Sequence, residues 1–373
     1  RGARSSRGVG GARRAGEAGS VAASPGSRAA RLRENLALLR EVAAVAVPNV
    51  GSFLLQLLNE QTNVIFLGRT AGNAELAAVG LGNMMQNCVG LSIGWGLLGA
   101  LDSFVSQAHG AGQQELALAH YQRGRVIATL QLLWIVPVLL STEGLLTFIG
   151  QDPTVSRFAA AYNRTSAPAL FCCFQFQATA KLLQNCCITV PPLLINLCCS
   201  TLHVGWCALF VLRLGLGNTG VGLANALTWS CQWLFITLYI LVSAKRLGLR
   251  RGAVLGLQAP CLQGWGRYLR VAVPCLLQTS SEWWFWEICA LVVGYLGTLS
   301  LAAHVAALQA VSLCYMPALG MASAAAALVG NALGAGDAQR ARRVARLCVL
   351  LNVGLWLAVA AGLLAGRGAI AGL

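Results

Sequence analysis

The chain has 373 residues, 57% of them hydrophobic and 10% charged, where soluble domains carry about 25% charged residues; a water-soluble globule is excluded. A net charge of +15 would suit a nucleic-acid surface, but the basic residues sort by membrane side instead, which excludes that partner as well. The apolar residues come in windows of about 20, the length at which a helix crosses about 30 Å of hydrocarbon.

Residues 1–40 read as a disordered, basic cytoplasmic tail. Gly, Ala, Arg and Ser dominate, Glu17 is the only acid before Glu34, and too little apolar surface is present to fold. Nine spans are then predicted at 42–67, 76–101, 126–149, 160–180, 189–212, 219–243, 268–294, 299–327 and 345–365. With the N-terminus cytoplasmic, 22 of the 27 Lys and Arg residues fall on the cytoplasmic side, in accord with the positive-inside rule. The 14 cysteines lie mostly inside spans and form no Cys-x-x-Cys pair, so they read as small apolar packing groups and not as a metal site.

Three short elements recur at nearly constant spacing. Val45-Ala46-Val47-Pro48 returns as Val271-Ala272-Val273-Pro274, and Leu76-Ala77-Ala78 as Leu301-Ala302-Ala303. The run Phe104–Gly112 resembles Leu328–Gly336. Six spans separate the first two copies, so each half should hold six helices, and an even number leaves both halves the same way up. The expected fold class is an all-α membrane protein of two parallel six-helix lobes. The first lobe would occupy 41–265, and 266–373 would be helices seven to nine of a second lobe that stops about three helices short. Gly110, Gly112, Gly334 and Gly336 are expected to cap helices two and eight.

Carboxylates inside spans are rare because an ionised one is costly in lipid unless it is paired or faces water. Glu60, Glu282 and Glu287 are the three here. Glu282 shares a helix face with Trp286 one turn later and Gln278 one turn earlier, beside Trp283. Such a face combines negative charge with indole rings that attract cations by about 0.5–2 kcal/mol. Glu287 falls about 140° away on the helix, toward another wall. Glu60, with Gln56, Asn59 and Asn63, gives span one a polar stripe that could line a cavity or bond helices together. His304 reads as a buried neutral side chain bonded to a neighbour rather than a proton relay, and His203 as a helix residue with no evident partner. No His-Glu-x-x-His, Gly-x-Ser-x-Gly or paired aspartates occur, which argues against an intramembrane enzyme.

Four elements together resemble the multidrug and toxin extrusion (MATE) family. They are the run Ala100–Ala111; Leu214-Gly215-Leu216-Gly217 with Gly220; Glu282-Trp283-Trp284 with Glu287; and Val329-Gly330-Asn331 with Leu333-Gly334-Ala335-Gly336. The resemblance covers about residues 35–365, and the Glu-Trp-Trp form is similar to the eukaryotic branch. It implies alternating access between two bundles and export of small organic, cationic or xenobiotic solutes in exchange for H⁺ or Na⁺, with no other cofactor. It also implies a role in exchange for Glu282 and Glu287. Where bacterial relatives carry an Asp in helix one, this chain has Asn63 before Gly68, with Glu60 one turn away. The alternatives are a lipid-linked sugar flippase of the same superfamily, whose cavity should be more cationic, and a nonfunctional truncated product. The expected setting is the plasma membrane or a vacuolar or other organelle membrane, with the protein acting as a monomer among lipids.

Overall fold

The computed structural model describes residues 28–70, 72–245, 256–294 and 298–370; the first 27 residues of the expected tail and the basic loop 246–255 lie outside them, while residues 28–40 of that tail are helical, as the start of a helix that continues to Gly68, and not disordered as expected. Glu41–Leu373 pack as a unit distinct from Arg1–Arg40. Among the described residues every regular element is helical. In order they are α1 (Arg28–Gly68), α2 (Asn73–Met85), α3 (Ser92–Gly110), α4 (Gln114–Leu130), α5 (Leu132–Leu140), α6 (Thr142–Phe148) and α7 (Pro153–Ser166). Then come α8 (Leu170–Asn185), α9 (Val190–Cys207), α10 (Gly217–Ser243), α11 (Trp265–Gly294), α12 (Thr298–Gly334) and α13 (Ala338–Ile370). A π-helical turn, Gln86–Leu91, joins α2 to α3, and a second, Ala208–Arg213, extends α9.

Among the described residues seven stretches are long and apolar enough to cross a membrane: Leu32–Gly68, Ala74–Gly110, Gln114–Leu140, Val190–Arg213, Gly217–Ser243, Ala307–Gly334 and Ala338–Gly366. The other two predicted spans, 160–180 and 268–294, form helices as expected but are more polar. Protein contacts explain the first of them. Asn163 is fully buried and donates to Thr142 (2.9 Å), and Gln175 bonds Arg125 and Thr129. Pro168 interrupts this rod between α7 and α8, in a 3₁₀ turn. Asp152 caps α7 from just before Pro153, accepting from the amides of Thr154 and Val155 at 2.8 and 3.1 Å.

Two helix ends were placed too early or too late by hydropathy. The second rod continues past residue 101 to Gly110, and the third starts at Gln114, well before 126. The polar residues that suggested water there are partnered inside the bundle instead. Asp102 pairs with Lys181 (2.6 Å), Gln122 accepts from the amide of Gln258 (3.0 Å), and Arg123 donates to the carbonyls of Cys261 and Pro260 (3.2 and 3.0 Å).

The main core is built by α3, α4, α8, α10 and the start of α11, through Leu98, Leu101, Val105, Tyr121, Phe174, Ile236, Tyr268 and Ala272. Tyr268 also donates to the Leu97 carbonyl (3.1 Å), and Phe104 stacks on its ring. α12 contributes no described residue to this core and meets α3 differently. A side chain on Gly110 would run into the carbonyl of Asn331, one on Gly334 into the carbonyl of Gln107, and one on Gly330 into the Ser106 hydroxyl. These are the equivalent positions of the two sequence repeats, so the copies pack on each other in reciprocal fashion. Of the four glycines expected as caps, Gly112 and Gly336 have the left-handed φ of 72° and 78°. Gly110 and Gly334 close the helices themselves and are small because backbone faces backbone there.

Candidate functional site

α11 carries the carboxylate and indole cluster, and its neighbours α1, α2–α3 and α12 complete the surroundings. Gln278, Glu282 and Trp286 are all exposed, as one face of the helix. Glu282 accepts a hydrogen bond from the Tyr315 hydroxyl of α12 (2.9 Å), a partner marked in the sequence only as a tyrosine in an apolar span. Trp283 turns the other way, half-buried, and sets its ring edge-on to Trp95 of α3 at 5.2 Å. Trp284 donates its indole N–H to the carbonyl of Cys88 (2.9 Å), in the π-helical turn between α2 and α3.

Glu287 is half-buried, while Glu60 of α1 is exposed. The two carboxylates are close enough to interact electrostatically. Two of the three intramembrane acids thus lie within electrostatic reach of each other on helices far apart in sequence, and the third, Glu282, sits five residues before Glu287 on α11 and accepts from Tyr315. Concentrated negative charge beside exposed indole can attract a cation or hold a proton. Along the same junction, Gln61 of α1 donates to Gln309 of α12 (2.8 Å) and Asn49 to Ser323 (3.2 Å).

Asn63, one turn from Glu60, lies elsewhere. It is buried and donates to Asn225 (3.1 Å), and its oxygen meets His203 Nε2 (3.0 Å) and the Cys207 thiol (3.6 Å). The network runs on. Asn225 donates to the Tyr162 hydroxyl (2.8 Å), and Tyr162 donates to Asn83 (2.6 Å). Gln86, at the start of the π-helical turn, bonds Ser166, while His203 Nδ1 meets Thr228 (2.8 Å). His203 therefore has three partners where the sequence suggested none. His304 has a buried Nε2 with no hydrogen-bond partner among the described residues. All 14 cysteines are free, and no His, Cys, Asp and Glu grouping among the described residues could hold a metal.

The geometry agrees with what the chain is similar to. The MatE family profile matches residues 48–209 and 274–373. "Multidrug and toxin extrusion protein 2" of Mus musculus is 33% identical over 333 residues, covering 87% of this chain and 56% of its own length. "Multidrug and toxin extrusion protein 1" of Homo sapiens is 33% identical over 331 residues, covering 88% and 57%. The chain thus spans a little over half the length of these relatives. Among solved structures, the eukaryotic MATE transporter AtDTX14 superposes with a TM-score of 0.82 at 22% identity, over 90% of this chain and 74% of that one. A MATE transporter in the bent conformation gives 0.75 at 21% identity, over 90% and 75%. With a family profile matched over most of its length and these relatives covering more than four-fifths of it, this chain is an integral membrane protein belonging to the MatE family.

Proposed function

We propose that this protein is a secondary antiporter that exports small organic cations in exchange for H⁺, with Glu282 holding the proton and the solute in turn. The observation that carries the reading is the grouping itself. Glu282 stands exposed beside Trp286 and Gln278 with a hydroxyl from the next helix on its carboxylate, and Glu287, on the same helix, is within electrostatic reach of Glu60. A cation that binds there must displace whatever neutralises the carboxylates, and a proton is the smallest such group. Alternating exposure of one shared site to the two sides then couples solute to proton without further machinery. The names of the relatives, multidrug and toxin extrusion proteins, support the same substrate class. The charge sorting of the sequence supports a cytoplasmic N-terminus.

The test is uptake of ethidium into proteoliposomes under an imposed pH gradient. The unsubstituted chain should exchange, and Glu282→Gln should lose about tenfold or more of that rate, the scale expected when a transport carboxylate is neutralised. Uptake that persists at full rate in Glu282→Gln would remove this residue from the mechanism. Uptake that follows a Na⁺ gradient and ignores pH would replace the coupling ion. No uptake of cations, with flux of an anionic or lipid-linked sugar instead, would move the chain to the flippase reading.

A further inference from the structure

We propose that Leu32–Arg40, in the first turns of α1, docks on the anionic headgroups of the bilayer leaflet at the chain's N-terminal side, as a basic amphipathic anchor. The inference goes beyond transport and holds whichever solute the protein moves. Three observations carry it.

The first is that these residues are not needed to cross the membrane. The apolar stretch Leu32–Gly68 has 37 residues, about 55 Å at the rise of an α-helix, where a hydrocarbon core takes about 20 residues. Residues 42–67, with Glu60 as their one charge, supply that length alone. Leu32–Arg40 is surplus to the span, and it falls in a packing unit separate from the one that begins at Glu41. It is nonetheless helical, so its side chains keep a fixed order around an axis.

The second is that order. Leu32, Leu36 and Leu39 recur at helical spacing and form one stripe, and they are 60%, 47% and 38% exposed. Arg33 and Arg40, seven residues apart, run along one edge of the stripe and are exposed as well. An apolar stripe edged by arginine suits a membrane surface, where leucine enters the acyl boundary and guanidinium stays with the phosphates. Arginine meets phosphate with a planar fork of donors, which lysine lacks.

The third is the choice of partner. Up to residue 40 the chain carries nine arginines against Glu17 and Glu34, so its complement is an anionic surface. Three leucines over two turns offer well under the about 800 Å² that each side of a stable protein interface buries. A lipid surface asks for less, because it is always within reach. Leu32 stands ten residues before residue 42, and ten residues span at most about 35 Å. The tether therefore sets a high local concentration of headgroups, which a soluble partner has to match by affinity. With the N-terminus cytoplasmic, as the charge sorting supports, the leaflet concerned is the anionic one.

The test is amide hydrogen exchange, read by mass spectrometry, on the full chain in nanodiscs of phosphatidylcholine alone or mixed with phosphatidylserine. An unanchored helix end frays and exchanges fast, so docking should slow exchange across Leu32–Arg40 about threefold or more in the anionic discs. High salt should reverse the slowing. Arg28→Gln, Arg31→Gln, Arg33→Gln and Arg40→Gln combined should erase most of it, and so should Leu32→Ser with Leu36→Ser. Exchange in α8 should stay as in the parent chain in both forms, which shows that the bundle is folded. Equal exchange of Leu32–Arg40 in neutral and anionic discs overturns the proposal, and so does slowing that survives both substituted forms. Slowing that appears only when an acidic peptide or RNA is added assigns the stripe to a soluble partner and overturns it too. No transport enters the measurement, so this proposal and the antiport reading stand or fall separately.

Discussion

The polar side chains of the N-terminal helices and those of α11 both fall within predicted spans, yet they are treated in opposite ways. Asn63, His203, Asn225 and Tyr162 are buried, and each bonds at least one other member. Glu282, Gln278 and Trp286 are exposed, and the bond to Glu282 comes from a single hydroxyl. A closed network holds helices in place, since breaking it strands groups that no water reaches. An open carboxylate with one neutral donor retains capacity for a ligand. The difference teaches that polarity in a span does not mark a site; unsatisfied, accessible polarity does.

The strongest way to break this contrast is Asn63→Leu. It removes one partner from each of His203 and Asn225, so that the buried Asn225 amide oxygen is left unpaired and His203 Nε2 keeps only the Cys207 thiol, a loss of about 1–3 kcal/mol for each such buried group. The expected loss is about 3 kcal/mol, seen as a lower midpoint of thermal unfolding in detergent. If Asn63→Leu unfolds like the parent protein, the network is dispensable, and the division between closed and open polar regions loses its basis.

How the sequence pointed to one region and not the other follows from distance along the chain. Glu282, Trp283, Trp286 and Glu287 fall on one helix, so a 3.6-residue period is enough to put Glu282 and Trp286 on one face and Glu287 on another. The repeat copies were equally legible, as two runs of similar letters. Asn63 meets Asn225 across 162 residues, and Asn225 meets Tyr162 across 63. One asparagine in an apolar span looks the same whether its partner is a neighbouring helix or a solute, and only the assembled bundle distinguishes them. Tyr315 escaped for the same reason, and the ends of the second and third rods because charged and polar groups paired within the protein imitate water-facing charge in a hydropathy profile.

A middle-sized effect sharpens the open side. If Glu60 and Glu287 share one field, Glu60→Gln and Glu287→Gln should not act independently on ethidium exchange. Neutralising either changes what the other must hold, and a double-substitution cycle should show a coupling of about 1 kcal/mol, roughly fivefold in rate. Additive effects would mean that the two acids serve separate sites, and the proximity seen here would carry no function.

The smallest effect expected is on stability, in Tyr315→Phe, and its smallness is the point. The ring is kept, so packing of α12 is unchanged, and the lost hydroxyl frees an exposed carboxylate that water can solvate. Less than about 0.5 kcal/mol of stability should be lost, well below the usual contribution of a buried hydrogen bond. The same substitution frees Glu282 to turn away from the position where solute meets it. Half-saturation for ethidium should then rise about threefold while the maximal rate holds, the pattern of a lost binding contact and not of a lost chemical step. Asn63→Leu should do the reverse, costing stability and leaving half-saturation alone. A Tyr315→Phe protein that melts early, or an Asn63→Leu protein that binds ethidium poorly but melts normally, would exchange the roles assigned to the two regions.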